Sequence, residues 1–169
     1  INCSVEPILQ NTAERVLIGT NSTFEVAASA DLRMVCCDQK QIEQALSNVL
    51  TNAKEAMPDG GVIKIQAENS DKQEIMLKTG QDCRYEHYIQ ITIVDQGGGI
   101  AEADLPHIFD PYFSSKDRGS EKGMGLGLAI TSSIISKHDG YLLVASKSGS
   151  GTTIRIILPA YDGPVVPQN

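Results

Sequence analysis

Two asparagines, Asn48 and Asn52, stand four residues apart in a strongly periodic segment, with Gln41 and Glu55 beside them. That spacing puts the pair on one helical face, bordering an apolar stripe. Asparagine is a mediocre helix former. Two at the edge of a buried surface call for polar partners, either neighbouring backbone or a hydrated divalent cation and the phosphates around it. A second chemical group is Asp95, which ends an alternating apolar run and is followed by Gly97, Gly99 and Ile100. A carboxylate at a buried strand end needs donors. The exocyclic amine of adenine supplies one, and the glycines leave room for a flat ring. A turn-forming Asp in an Asp-x-Gly bend is the plainer alternative.

The fifteen glycines are grouped rather than abundant. Besides Gly97 and Gly99, Gly123, Gly125 and Gly127 alternate with Met124, Leu126 and Leu128 where a helix opens. Gly149 and Gly151 precede Thr152. Amides at a helix N-terminus form an anion site, so the 123–128 group is a candidate phosphate cradle. It fits neither the dinucleotide fingerprint nor a Walker A loop, since no Gly-Lys-Ser/Thr occurs.

These groups need elements to hold them. Residues 5–18 show loose helical spacing closed by Gly19, and residues 24–26 and 33–36 read as short strands. The clearest helix runs from Asp38, a good N-cap, to Met57. Ile42, Ala45, Leu46, Val49, Leu50 and Ala53 step by three and four along it, and residues 58–61 stop it. Residues 62–67 alternate as a strand. Residues 69–86 are polar and read as a long hairpin excursion with a short strand at 75–77. Ile89, Ile91 and Ile93 form a strand leading into Asp95. A short helix is expected around 101–108, a longer one over 125–137, and a closing hairpin from 141–146 and 152–158. The order predicts an α+β fold, a two-layer sandwich of a mixed, mainly antiparallel sheet with helices on one face. Residues 1–159 form the domain, and 160–169, with Gly163, Pro164 and Pro167, resemble a linker.

Length and charge narrow the classes. The 169 residues, 41% hydrophobic, suffice for one core. Fourteen basic against twenty-one acidic residues give a net charge of −7, which argues against a nucleic-acid surface. No apolar run approaches the roughly 20 residues that span a bilayer, so no direct membrane contact is expected. Cys3, Cys36, Cys37 and Cys83 lack C-x-x-C spacing and read as small hydrophobes in a reducing compartment. With Ile1 in place of an initiator Met, the chain is expected to be an excised or processed piece of a longer one.

Taken together and in order, these segments resemble the catalytic ATP-binding domain of bacterial two-component sensor histidine kinases, in the superfamily of gyrase, heat-shock chaperone and mismatch-repair ATPases with the Bergerat fold. Residues 41–57 resemble the N box and residues 95–100 the G1 box. Residues 108–116 resemble the F box, 123–128 the G2 box, and 148–152 with Leu158 and Pro159 the last glycine box and closing strand. The resemblance implies ATP and Mg²⁺ as cofactors. It gives Asp95 to the adenine amine, with Gly97, Gly99 and Ile100 shaping the pocket and Thr152 lining its floor. Asn52 becomes the metal ligand, with Asn48 contacting phosphate or the metal's water. Residues 114–122 become the lid, anchored by Phe109 and Phe113, with Lys116 and Lys122 as its phosphate-facing cations. Gly123, Met124, Gly125, Leu126, Gly127 and Leu128 close over the phosphates. Glu55 stands where many relatives carry a basic residue, so it belongs to the nucleotide-binding set without a direct phosphate contact.

Superfamily members that hydrolyse ATP keep a Glu one turn before the metal Asn. Asn48 stands there, and an amide is no general base at neutral pH. The resemblance therefore implies transfer of the γ-phosphoryl to a nucleophile on another domain, with Asn48, Asn52 and Lys116 as the catalytic set. None of His87, His107 and His138 sits in the His-Glu/Asp-x-x-x-Pro setting of a phosphoacceptor helix. The structural role is the better expectation for all three, and the cation of His138 would suit a helix C-terminus. The implied partners are an upstream helical domain bearing the acceptor His and the receiver domain of a response regulator. The excursion over 69–86 is similar to that of hybrid kinases. The expected location is the cytoplasm, with the parent chain free to be membrane-anchored. Two further readings share the residues: a serine kinase of the anti-sigma type, which usually keeps the Glu replaced by Asn48, and a regulatory nucleotide-binding module without catalysis.

Overall fold

The computed structural model describes residues 1–110 and 127–161. The central helix α2 (Gln39–Ala56) forms where the periodicity places it. Asp38 caps it by accepting hydrogen bonds from the amides of Lys40 and Gln41, and Met57 ends it just before Pro58. Its predicted stripe is buried: Ile42, Ala45, Leu46, Val49, Leu50 and Ala53 are each at most 3% exposed. Helices α1 (Val5–Leu17) and α4 (Gly127–Lys137) pack against it. Thr131 of α4 is fully buried at that seam. Its Oγ1 donates to the carbonyl of Gly127 at 2.8 Å and lies 3.4 Å from the carbonyl of Ala45 in α2.

Five strands form the sheet beneath: β2 (Ser22–Ala28), β4 (Gly61–Asp71), β5 (His87–Asp95), β6 (Tyr141–Ser146) and β7 (Thr152–Pro159). Their order is β2-β4-β5-β7-β6, parallel only between β2 and β4. The registers line up the apolar positions. Val26, Ile65, Ile93, Ile154 and Val144 form one row across all five strands, and Ala28, Ala67, Ile91, Ile156 and Leu142 form the next. Both rows belong to the core under α1, α2 and α4. Fully burying one Ile stabilises by roughly 1.5–3 kcal/mol, so these rows fix the face and the register together. The α+β two-layer sandwich expected from the sequence is what the chain forms.

Three local expectations change. Residues 75–77 are not a strand: β4 continues to Asp71, and α3 (Lys72–Thr79) follows. Asp71 caps α3 by accepting from the amide of Glu74, and Gly80 ends it in the left-handed conformation. Ile75 is its buried residue, and it packs with Cys83, Tyr88 and Ile157 in a small second cluster apart from the main core. β5 and β7 thus bury side chains on both faces. Around 101–108 only a 3₁₀ turn forms, at Leu105–His107, where Pro106 favours a short first turn. Residues 33–36 leave only β3 (Val35–Cys36). It pairs with β1 (Asn2–Cys3) in a separate ribbon, and so joins the chain's start to the segment before α2.

The cysteines remain free. Burial pushes the Cys37 thiol up to about 12, with a hydrogen bond to Cys3 adding to it, as suits an inert packing residue. His138 differs from expectation. Its Nδ1 donates to the Ile134 carbonyl at 2.7 Å, and its Nε2 accepts from the Asp38 amide at 3.2 Å. The geometry is that of a neutral imidazole that latches the end of α4 to the start of α2.

Candidate functional site

One register step beyond the row of Ile93 and Ile154, the helix-facing side of the sheet turns polar. Asp95, Thr152 and Ser146 pair across β5, β7 and β6 at a single level. Asp95 is 7% exposed, and its Oδ1 accepts from the amide of Gly97 at 2.9 Å. Desolvation raises its carboxyl above the ordinary carboxylate range. The amides of Gly97 and Thr152 partly offset that by hydrogen bonding to the charged form. Thr152 is equally buried, and its Oγ1 lies 2.8 Å from the Ser146 Oγ.

The loop after β5 is drawn tight around this row. Gly97 abuts the end of α2, where a Cβ would come within 2.6 Å of the Ala56 Cβ and 2.7 Å of its carbonyl oxygen. Only glycine allows that approach. The Gln96 amide points at Met57 Sδ, 3.4 Å away. The Gly149 amide donates to the Gly98 carbonyl at 2.7 Å, and the Ile100 amide donates to Ser146 Oγ at 2.7 Å. The first and last glycine groups therefore form one connected floor beside Asp95.

The asparagine pair lies next to it. A Cβ placed on Gly127 would stand 3.7 Å from the Asn48 Cβ and 4.0 Å from the Asn52 Nδ2. The first residue of α4 thus faces both amides. The Asn48 Nδ2 is buried with no hydrogen-bond partner, an expensive state for an N–H donor. It matches an anionic oxygen. Among the described residues its neighbour Asn52 is likewise a neutral amide, which suits a magnesium that keeps several waters and is held mainly through substrate phosphates. Leu128 packs on the core beside α2, and Glu55 is half-buried on the turn after Asn52.

Among the expected site residues, Asn48, Asn52, Asp95, Gly97, Gly99, Ile100, Gly127 and Thr152 thus converge on one end of the sandwich. Phe113, Lys116, Lys122, Gly123, Met124, Gly125 and Leu126 lie outside the described residues. The structure adds Ser146, Met57 and Ala56. Ser146 follows Leu142 and Val144 in the period of two, so counting the hairpin register would have set it opposite Thr152. Of the histidines, His138 has both ring nitrogens engaged, and His107 Nδ1 lies 3.1 Å from the Asp110 Oδ2.

A mixed sheet carrying α1, α2 and α4 on one face, with a buried Asp between glycine loops and amides under a helix start, defines a nucleotide-binding sandwich of the Bergerat type. The family model described as histidine kinase-, DNA gyrase B-, and HSP90-like ATPase matches residues 37–162, and the chain belongs to that family. Its curated relatives include sensor kinase CckA of Brucella abortus (strain 2308), 34% identical over 85% of this chain and 15% of that protein. Sporulation kinase E of Bacillus subtilis (strain 168) is 33% identical over 83% of this chain and 16% of that protein. The chain therefore spans about one sixth of the length of these relatives. Among solved structures, a mycobacterial sensor histidine kinase, MprB, superposes with a TM-score of 0.77 at 28% identity, covering 95% of this chain and 98% of that one. The part of the sensor kinases that this chain matches is their ATP-binding catalytic domain. No helix among the described residues is long and apolar enough to cross a membrane.

Proposed function

We propose that this domain, residues 1–159 with a linker-like tail after them, transfers the γ-phosphoryl of Mg·ATP to a histidine on a helical domain of the parent chain, from which it passes to a response-regulator receiver. The observation that carries the reading is the convergence of the Asp95–Thr152 row with the unpartnered Asn48 amide beneath Gly127. Asp95 takes the adenine amine, Gly97, Gly99 and Ile100 shape the slot, and Thr152 closes its floor. Asn48 donates through Nδ2 to a phosphate oxygen or accepts through its amide oxygen from a metal-bound water, and Asn52 offers its amide oxygen to Mg²⁺. When bound, the magnesium neutralises charge on the phosphates and lowers the cost of transfer. Gly127 and Leu128 open the helix whose amides face the phosphates. By family resemblance, Gly123, Met124, Gly125 and Leu126 extend that cradle, Phe113 anchors the lid, and Lys116 and Lys122 supply its cations. Glu55 borders the nucleotide.

The chain's own part in the reaction is orientation and charge stabilisation. Asn48 cannot take a proton from water, so bound ATP waits for the incoming imidazole. Titration calorimetry with ADP and ATP, with and without Mg²⁺, followed by addition of a His-bearing helical domain, tests this. Mg²⁺-assisted binding with slow hydrolysis and transfer to the added histidine is the expected result. Binding without transfer would leave a regulatory nucleotide module, and transfer to a seryl partner would point to a serine kinase.

A further inference from the structure

Ser146 is the hub of the pocket floor, and its hydrogen bonds fix where the protons lie. A serine hydroxyl has one proton to give and two lone pairs with which to accept. The Gly151 carbonyl, 2.9 Å from Ser146 Oγ, can only accept, so the Ser146 proton goes there. The Ile100 amide, 2.7 Å away, can only donate, so it fills one lone pair. The remaining neighbour is Thr152 Oγ1 at 2.8 Å, which must therefore donate to the second lone pair. With its proton spent on Ser146, Thr152 has only lone pairs left to offer elsewhere. Asp95, its register partner, is likewise an acceptor, with Gly97 donating to it.

We propose that Ser146 is a specificity-determining positioning residue. By holding the Thr152 proton it makes the pocket's polar edge accept only, so the pocket takes a 6-aminopurine and rejects a 6-oxopurine. The inference rests on the reading that Asp95 and Thr152 line an adenine slot. Adenine presents a two-proton amine to this edge. At C6 hypoxanthine presents an oxygen in place of the amine. Although its N1 carries a proton, that oxygen would meet acceptors alone, and a site built to receive the C6 amine rejects a ligand that lacks it. Without Ser146 the Thr152 hydroxyl is free to turn and donate to that oxygen.

Calorimetric titration with ADP and IDP, on wild type, Ser146→Ala and Ser146→Thr, tests the assignment. Ser146→Ala is expected to narrow the ADP-over-IDP preference by about fivefold, the scale of one neutral hydrogen bond, and Ser146→Thr to restore it. If Ser146→Ala weakens both nucleotides by the same factor, or neither, the assignment is overturned. Should that variant fail to fold, Thr152→Val reads the same arm. It keeps Ser146 and must also narrow the preference, by weakening ADP alone, and an unchanged preference overturns the proposal. A wild type that binds IDP as tightly as ADP would instead sink the adenine-slot reading itself.

Discussion

Gly151 presses against the main chain of Asp95: a Cβ at Gly151 would lie 2.2 Å from the Asp95 carbonyl oxygen. Gly151 also has φ +80°, a conformation that side chains rarely adopt. The obstacle is backbone at the end of β5, so it cannot swing aside as a flexible side chain would. Gly151→Ala must push the last glycine loop away from Asp95 and pull Thr152 out of register. It should lower stability by about 1–3 kcal/mol and weaken ADP more than that loss accounts for. Chemical denaturation beside calorimetry checks it; undiminished binding would show that the two loops act separately.

Asp95 sets the opposite kind of trade. Its carboxyl is raised by desolvation, which the amides of Gly97 and Thr152 only partly offset. Between the ordinary value of 3.8 and that raised value, the native carboxyl keeps a proton that the unfolded chain has lost. The native state binds more protons there, so this group's contribution to stability falls as pH rises through the window. Asp95→Asn removes the buried charge while keeping an oxygen for the Gly97 amide. It should melt higher than wild type at neutral pH, with the gap closing on acidification, and it should lose ADP binding. In wild type, ADP affinity should drop as the pH falls through the raised value. A variant that melts lower and still binds ADP would refute both halves.

The unpartnered Asn48 amide gives a third outcome. A buried donor without an acceptor costs about 1–3 kcal/mol, and Asn48→Leu replaces it with an apolar group of similar volume. The empty domain should become more stable, while affinity falls for ATP and ADP and is spared for adenosine, which lacks phosphates. Equal losses for all three ligands would place Asn48 away from the phosphates.

What the sequence made legible follows the physics of each signal. The stripe from Ile42 to Ala53 repeats over about three turns, and the isoleucines of β5 alternate without interruption, so α2 and β5 could be placed from pattern alone. The short helix α3 has one buried residue, Ile75, too few to show a period. Its cap, Asp71 with Glu74 three residues on, and its stop at Gly80 were the signals present, and the polar composition hid them. The ribbon of β1 and β3 has two residues a strand and no pattern to find. At the site, Asp95 and the asparagines stood out because polar groups at buried positions need a reason. Ser146 did not, since a serine on an edge strand is ordinary until register sets it beside Thr152 and Ile100.

The second cluster supports a prediction of separation. Tyr85 Oη donates to Asp139 Oδ2 at 2.8 Å, which ties the segment after α3 to the end of α4. Asp139 has positive φ, at 56°, alone among the described non-glycine residues. Tyr85→Phe keeps the ring against Tyr88 and removes only this bond. Stability should fall by no more than about 1 kcal/mol, with nucleotide binding unchanged because the cluster lies across the sheet from Asn48. A loss of ADP affinity would mean that α3 acts on the site through α4.

His138 offers the converse case, a contact between the two helices that carry the site. Its imidazole donates to Ile134 within α4 and accepts from the Asp38 amide at the cap of α2. Gly127 and Asn48 face each other further along the same pair of helices, so the seam is fixed at one end by this ring and at the other by packing. His138→Ala removes both bonds and leaves the Asp38 amide without its partner. It should cost about 1–2 kcal/mol, and hydrogen exchange at the Asp38 amide should quicken well beyond the change at Lys40 and Gln41, whose amides keep the Asp38 carboxylate. ATP affinity should fall less than stability, since the buried Thr131 still holds α4 to α2. If exchange rises uniformly over the first turn, the ring supports the helix start only by packing, and the latch is not a specific hydrogen bond.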